Sequence, residues 1–375
     1  MNLQEHAAKQ MVLRPAGIPV PSGIECASVD EVRVAFAEIG PCMVKAQVPT
    51  GRRGKAGGIR AAGTAGDAAA AASAMLGTRI EGHVVASVLV EERAIVARNF
   101  YAAVLADAVT RAPMLLFSAQ GGVDIEEVAA RDRAAVRRAS IDILSGFDDG
   151  VAARVLAGLD LGDAAPRIAD ILGRLYRAFR QNDAELIEVN PLALLADGRL
   201  AALDCKFILD PAAACRRPEL ARAAARERRT DLEVRAAEAG LKYIELDGSV
   251  GVLANGAGLT MATMDVVSGL GGRPANFLEI GGDAYTKAEA ALGIVLSHQQ
   301  IRSLVINFCG AFARTDVMAA GIIKAWERVR PTVPTFFSIH GTGEAEAVAL
   351  VRERLGLEPF DLMEDAVKAA VEAAR

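Results

Sequence analysis

After residue 240 the chain repeats one cycle: a short apolar run, a glycine-containing turn and an alanine-rich helical segment. The runs cover 251–254, 275–280, 303–308 and 335–339, and a glycine follows each of them. Apolar runs without polar alternation suit strands buried on both faces, and the helical segments between them supply the crossovers that parallel strands need. The spacing predicts a parallel, doubly wound sheet whose binding crevice lies at the carboxyl ends of its strands.

A chain of 375 residues is too long for one ordinary core. A boundary is expected between Pro211 and Gly240, where Arg216-Arg217-Pro218 precedes a strongly charged helical stretch through Arg222, Arg226, Glu227, Arg228, Arg229, Asp231 and Glu233. Before it, helices are expected over Glu5–Arg14 and Asp67–Leu76. Strands are expected over Cys42–Val48, Val84–Glu91 and Met114–Ala119, as walls of a nucleotide cleft. Hydrophobic residues make up 52% but aromatics only 5%, so alanine and the branched aliphatics must build the core. A net charge of −5 offers no general attraction to nucleic acid, and no apolar run reaches the length of a membrane span. With no secretory signal pattern at the start, a soluble cytoplasmic protein is expected. Five scattered cysteines lack zinc spacing and read as reduced thiols; the four histidines show no metal-ligand spacing either.

The segment Leu186-Ile187-Glu188-Val189-Asn190-Pro191-Leu192, with Leu203-Asp204-Cys205-Lys206 downstream, reads as a hairpin. Ala196-Asp197-Gly198 forms the loop, with Gly198 left-handed, and Leu200 to Lys206 forms the return strand. That register pairs Leu195 with Arg199 and therefore sets Asn190 opposite Asp204. Magnesium takes few protein oxygens because phosphates and water complete its shell, so the pair suits a metal–nucleotide platform.

Lys45 through Gly58 packs four cations and four glycines into a run that begins at a strand end. Glycines let the backbone approach phosphate oxygens, and Arg and Lys neutralise them. The spacing is not that of a P-loop, because Lys55 is followed by Ala56 and no hydroxyl is placed for magnesium. Gln120-Gly121-Gly122-Val123-Asp124 follows a strand and leads into a helix near Asp124, a candidate phosphate cover or joint. Asn255-Gly256-Ala257-Gly258-Leu259 opens a helix whose first amides suit a carboxylate or phosphate. Cys309-Gly310-Ala311-Phe312-Ala313-Arg314 is a second cradle expected to face it across the crevice. His340-Gly341-Thr342-Gly343, a glycine turn after a strand, reads as a solvated loop histidine, with a phosphoryl-accepting histidine as the alternative.

Taken in order, Asn2-Leu3-Gln4-Glu5-His6, Gly17-Ile18-Pro19-Val20-Pro21, Val44-Lys45-Ala46-Gln47, Arg53-Gly54-Lys55-Ala56-Gly57-Gly58, the Gln120–Glu126 stretch, Ile187-Glu188-Val189-Asn190-Pro191-Leu192 and Asn255-Gly256-Ala257-Gly258-Leu259 resemble the beta subunit of succinyl-CoA synthetase and related ADP-forming acyl-CoA ligases. The resemblance runs nearly end to end. It implies an α/β chain with an ATP-grasp nucleotide-binding domain over residues 1–236 and a flavodoxin-like CoA-ligase domain over 240–375. By position it implies nucleotide contacts from Lys45, Arg52, Arg53 and Gly54, and base or ribose contacts near Glu91 and Ala94. It implies magnesium ligation by Asn190 and Asp204, a catalytic Glu188 directed at the partner's phosphohistidine, and acid contacts from Asn255, Ala311, Phe312 and Ala313.

The implied reaction is acid + CoA + ATP (or GTP) giving acyl-CoA + nucleoside diphosphate + phosphate, through an acyl phosphate and a phosphohistidine. The phosphohistidine and the main CoA site belong to an alpha subunit, in a heterodimer or heterotetramer. This sequence has departures from the family pattern. Asn99 stands where a glutamate is usual near the nucleotide. The runs Glu279-Ile280-Gly281-Gly282-Asp283, Gly310-Ala311-Phe312-Ala313 and Phe337-Ser338-Ile339-His340-Gly341 differ on the acid side. The resemblance implies succinate as the default acid, and these departures make malate, another hydroxy or di-acid, or a sulfonated acid the rival. A regulatory homologue that binds nucleotide without turnover is the reading from another class.

Overall fold

The computed structural model describes the whole chain except Arg52, residues 226–228, residues 281–283 and Phe312, and the side chains of residues 284 and 285. It divides into two compact units, Met1–Glu227 and Arg228–Arg375. The helix Asp231–Glu238, which the expected division assigned mainly to the first domain, packs on the strand Lys242–Glu245 of the second unit. Ala236 on its inner face and Leu241 just beyond it lie in that unit's core.

In the first unit a four-stranded antiparallel sheet runs in the order Gly23–Cys26, Val88–Glu92, Cys42–Ala46, Ile59–Ala62. Helices Val29–Ile39 and Ala65–Met75 pack on it. The first is capped by Ser28, whose hydroxyl accepts from the Glu31 amide, and the second by a reciprocal Thr64–Asp67 box, so each start is fixed by its own sequence. The unit also has a two-stranded sheet, Arg79–Ile80 with His83–Val84, and a seven-stranded antiparallel sheet. The central strands of the latter are Val96–Asp107 and Ala184–Leu195, covered by the helix Ala165–Gln181. Ile168, Ile171, Leu172, Leu175, Tyr176 and Phe179 recur at helical spacing on the buried face of that helix.

The expected elements of this unit form near their expected positions, with local differences in the hairpin's return strand and in two other elements. The expected strand Val84–Glu91 is split into His83–Val84 and Val88–Glu92. The Glu5–Arg14 helix changes from α over Glu5–Ala8 to a π-helical turn over Lys9–Leu13.

The second unit carries a five-stranded sheet in the order Lys242–Glu245, Asn276–Glu279, Val250–Ala254, Ser303–Gly310, Thr335–Gly341. The first strand is an antiparallel edge and the other four are parallel, as the repeated cycle predicted. Apolar clusters fill both faces, one around Leu253, Ile306 and Phe337 and the other around Val252, Val305 and Val367. From the central strand Val250–Ala254 the chain first steps to one side and then to the other, so the order reverses beside its carboxyl end.

Candidate active site

A cleft of about 860 Å³ opens within the first unit. It gathers Lys45, Arg53, Gly54, Glu91, Ala94, Glu188, Asn190 and Asp204, residues drawn from the strand Cys42–Ala46, the glycine-rich loop after it, the Val88–Glu92 strand end and the hairpin. Arg52, expected among the phosphate contacts, lies outside the described residues.

The floor of the cleft is a buried ionic cluster. Lys45 Nζ donates to Glu5 Oε1 (2.9 Å), to the Leu203 carbonyl (2.6 Å) and to Glu91 Oε2. Lys9 Nζ, behind it, donates to the same Glu5 oxygen (2.6 Å), to the same Leu203 carbonyl (2.7 Å) and to Glu91 Oε1 (2.6 Å). Arg53 pairs through Nη2 with Glu5 Oε2 and Asp204 Oδ1, both at 2.7 Å, and donates through Nη1 to the Ala46 carbonyl (3.1 Å). Burial alone would push the Glu5 carboxyl up, but Lys45, Lys9 and Arg53 outweigh it and hold the group well below the usual carboxylate range. Burial likewise opposes the charge on Lys45, and Glu5, Glu91 and Asp204 more than restore it, so the ammonium stays protonated. Arg53 is held charged in the same way by Asp204 and Glu5.

Glu91, expected beside the base or ribose, lines the cleft and directs its carboxylate to Lys9 and Lys45. Glu5 and Lys9 were not identified as site residues from the sequence. Their i,i+4 spacing at the chain's start reads as an ordinary surface pair, and only the fold buries it.

The hairpin has the expected turn. Leu195 N donates to Arg199 O at 2.8 Å, and Gly198 has φ +86°. The return strand is not continuous, however. It pairs over Leu200–Ala202, breaks at residues 203–205 and resumes over Lys206–Leu209. The break turns the Leu203 carbonyl to the two ammonium groups. Pairing on both sides keeps one register, so Asn190 and Asp204 fall opposite each other in the gap. Asp204 Oδ1 accepts from Arg53 and from the Cys205 amide (2.8 Å), and the side chain remains one-third exposed to the cleft. Asn190 Oδ1 accepts from Gly122 N (2.7 Å) and its Nδ2 donates to Val123 O (2.9 Å). The register thus sets two hard-oxygen side chains, one of them anionic, opposite each other in the cleft that also holds Lys45 and Arg53, a donor set that fits magnesium bound mainly through phosphates.

The loop that Asn190 grips lies hard against the sheet. Gly121 N donates to Asn99 O (3.1 Å), and a Cβ on Gly121 would stand 2.1 Å from the Phe100 carbonyl oxygen. Gly122 next to it has φ +72°. Asn99, expected near the nucleotide, thus sits beneath this turn, with its Oδ1 buried and without a hydrogen bond among the described residues. Gly121→Ala is expected to destabilise the first unit by about 2 kcal/mol or more, since backbone and not a side chain must move. A thermal melt within 1 °C of the parent, on the order of a fraction of a kcal/mol, would contradict the close approach.

Glu188 lies on the same strand, opposite Lys206, and accepts from the Tyr101 hydroxyl at 3.2 Å. Burial raises its carboxyl above the ordinary value, against the lowering effects of Lys206 and the Tyr101 bond. Burial and the neighbouring Glu188 also push the Tyr101 phenol up, which keeps it a donor.

In the second unit the order reversal brings Asn255 against Cys309. Asn255 Nδ2 donates to Cys309 O (2.9 Å) and its Oδ1 accepts from Cys309 N (2.8 Å), so the two crevice loops face each other as expected. The Asn255 side chain is committed to holding that peptide, and the amides at the start of the helix Ala257–Gly269, with Gly256 at φ +91°, remain for an anion. Ala311 O accepts from Thr342 Oγ1 (3.2 Å), which ties the loop of Ala311 and Ala313 to the strand end at Gly341; Phe312 lies outside the described residues. Arg314 is half exposed and paired with Asp316 (3.0 Å). His340 lies within 3.6 Å of Glu344 at the surface. No helix among the described residues is long and apolar enough to cross a membrane.

The ATP-grasp domain family matches residues 2–194 and the CoA-ligase family residues 253–370. Among curated proteins, the succinate–CoA ligase [ADP-forming] subunit beta of Herpetosiphon aurantiacus is 41% identical over 379 residues, covering all of both chains. That of Chloroflexus aurantiacus is 43% identical over 380 residues, covering 100% of this chain and 99% of the relative. The succinate–CoA ligase [GDP-forming] subunit beta of Thermus thermophilus is 40% identical, covering 94% of this chain and 93% of its own length. Among solved structures, ATP citrate lyase from Methanothrix soehngenii, in complex with citrate and coenzyme A, superposes with a TM-score of 0.78 at 20% identity over 99% of each chain, a likeness of fold. With an ATP-grasp domain, a CoA-ligase domain and full-length relatives at about 40% identity, the chain belongs to the family of succinate–CoA ligase beta subunits.

Proposed function

We propose that this chain is the nucleotide-binding half of an acid–CoA ligase, working with an alpha-type partner that holds CoA and a phosphorylated histidine. The net reaction is acid + CoA + ATP giving acyl-CoA + ADP + phosphate. The observation that supports it most is the single cleft in which Lys45 and Arg53 stand beside the Asn190–Asp204 pair, with Glu188 next along the same strand. Lys45, Arg53 and the Gly54 backbone would take the phosphates. Asn190 and Asp204 would hold Mg2+, which supplies charge neutralisation at the phosphates being cleaved. Glu188 would position and polarise the partner's histidine during phosphoryl transfer.

The names of the relatives support succinate as the acid. The altered Gly310–Ala313 and Phe337–Gly341 runs favour, as a second reading, a different small carboxylic or sulfonated acid. Reconstituting the chain with its alpha-type partner and following CoA-dependent ADP formation over a panel of acids tests both. Turnover with succinate supports the first, preference for another acid supports the second, and no turnover with any acid defeats the ligase reading. Within the same reading, Asp204→Asn is expected to weaken magnesium–ADP binding by about tenfold or more without loss of partner assembly, because the charge it removes faces the cleft. Unchanged affinity in a calorimetric titration would remove Asp204 from the metal pair.

A further inference from the structure

Two lysines share one set of acceptors under the cleft. Lys9 and Lys45 both bond Glu5 Oε1 and Leu203 O, and each takes one oxygen of Glu91. Only Lys45 lines the cleft; Lys9 sits behind it, with 2% of its side chain exposed. Around them Glu5, Glu91 and Asp204 balance Lys9, Lys45 and Arg53, three charges of each sign.

A buried carboxylate must be compensated, and it takes its compensation from whichever cation is nearest. Without Lys9, Glu5 and Glu91 would draw only on Lys45 and Arg53, two of the cations that line the cleft. An arriving polyphosphate would then compete with an uncompensated carboxylate for the same ammonium and guanidinium groups. We infer that Lys9 is a positioning residue for nucleotide binding: by neutralising Glu5 and Glu91 from behind, it leaves the charge of Lys45 and Arg53 available to phosphate. The π-helical turn that begins at Lys9 belongs to the helix that supplies Glu5, so one element delivers both members of the compensating pair.

The inference rests on the nucleotide reading of the cleft, and the experiment separates the two. Failure of the parent chain to bind magnesium–ADP at all would sink that reading. With binding established, Lys9→Met is expected to raise the ADP dissociation constant by about tenfold or more. Should Lys9→Met fail to fold, Lys9→Gln carries the same expectation, since its amide retains N–H donors for the buried oxygens but no charge. Adding Glu91→Gln, which removes the surplus negative charge, is expected to recover at least about threefold of the loss. A purely structural role for Lys9 moves the melting temperature and gives no such rescue. ADP affinity within about twofold of the parent in a folded neutral variant would overturn the inference. So would a loss of affinity that Glu91→Gln leaves in place.

Discussion

Glu188→Gln is expected to slow phosphoryl exchange with the histidine proposed on the partner by about 10²- to 10⁴-fold, the range over which a positioned acid–base group acts. Nucleotide affinity should stay near the parent value, because the side chain bonds Tyr101 and faces Lys206 and makes no bond to Lys45 or Arg53. The amide keeps the size and can still accept from the Tyr101 hydroxyl, so the loss reports charge and proton affinity and not packing. Burial raises the Glu188 carboxyl, so its deprotonated form is depleted at a higher pH than for an ordinary glutamate. The exchange rate of the parent should therefore fall with acid in that raised range, and the variant should lack this limb. Rapid-quench measurement of labelled phosphate transfer across pH checks both statements, and parental exchange kinetics would exclude a catalytic Glu188.

The second large effect is on stability. Glu5→Gln leaves Lys9, Lys45 and Arg53 sharing two carboxylates in a buried site, and breaking such a network from one side costs about 3–5 kcal/mol. For a unit of this size that lowers the first unfolding transition by on the order of 10 °C. The sign of the pH dependence follows from the depressed Glu5 carboxyl. Its folded-state value lies below the unfolded one, so its contribution is complete above the ordinary glutamate range and is lost as pH falls through the folded value. The parent should lose stability steeply in acid, and Glu5→Gln should show a flatter acid limb from a lower plateau. Calorimetry at neutral and mildly acidic pH distinguishes these curves. A transition within about 2 °C of the parent at neutral pH, less than roughly 1 kcal/mol, would mean that the cluster contributes little.

These two sites differ in how far the sequence reveals them. Asn190 and Asp204 are legible because a hairpin loop fixes register, and register alone sets residues opposite each other across two strands. The parallel sheet is legible because strands buried on both faces leave unbroken apolar runs, which occur where Val250–Ala254 and Ser303–Gly310 form. The break at residues 203–205 is only partly legible. One half of it has a local mark, since Pro191 stands opposite Leu203 and has no N–H to give its carbonyl; what that carbonyl meets instead, Lys9 and Lys45, lies 194 and 158 residues away in the chain. Glu5 and Lys9 are hidden for the same reason, since burial is a property of what folds over them. Glu91 shows a different limit. Its place by the cleft could be carried over by position, but the direction of its carboxylate is decided by the cations around it.

The bonds from Asn190 to Gly122 and Val123 bear on how strongly the subunit captures its metal. The oxygen that would ligate magnesium already accepts the Gly122 amide on one of its two lone pairs, so the ion and the loop would share a single atom. With magnesium bound as proposed, its affinity would be linked to the free energy that holds the 121–123 segment against the sheet. Substitutions in that segment, without touching the ion, would shift the magnesium concentration at which the subunit loads.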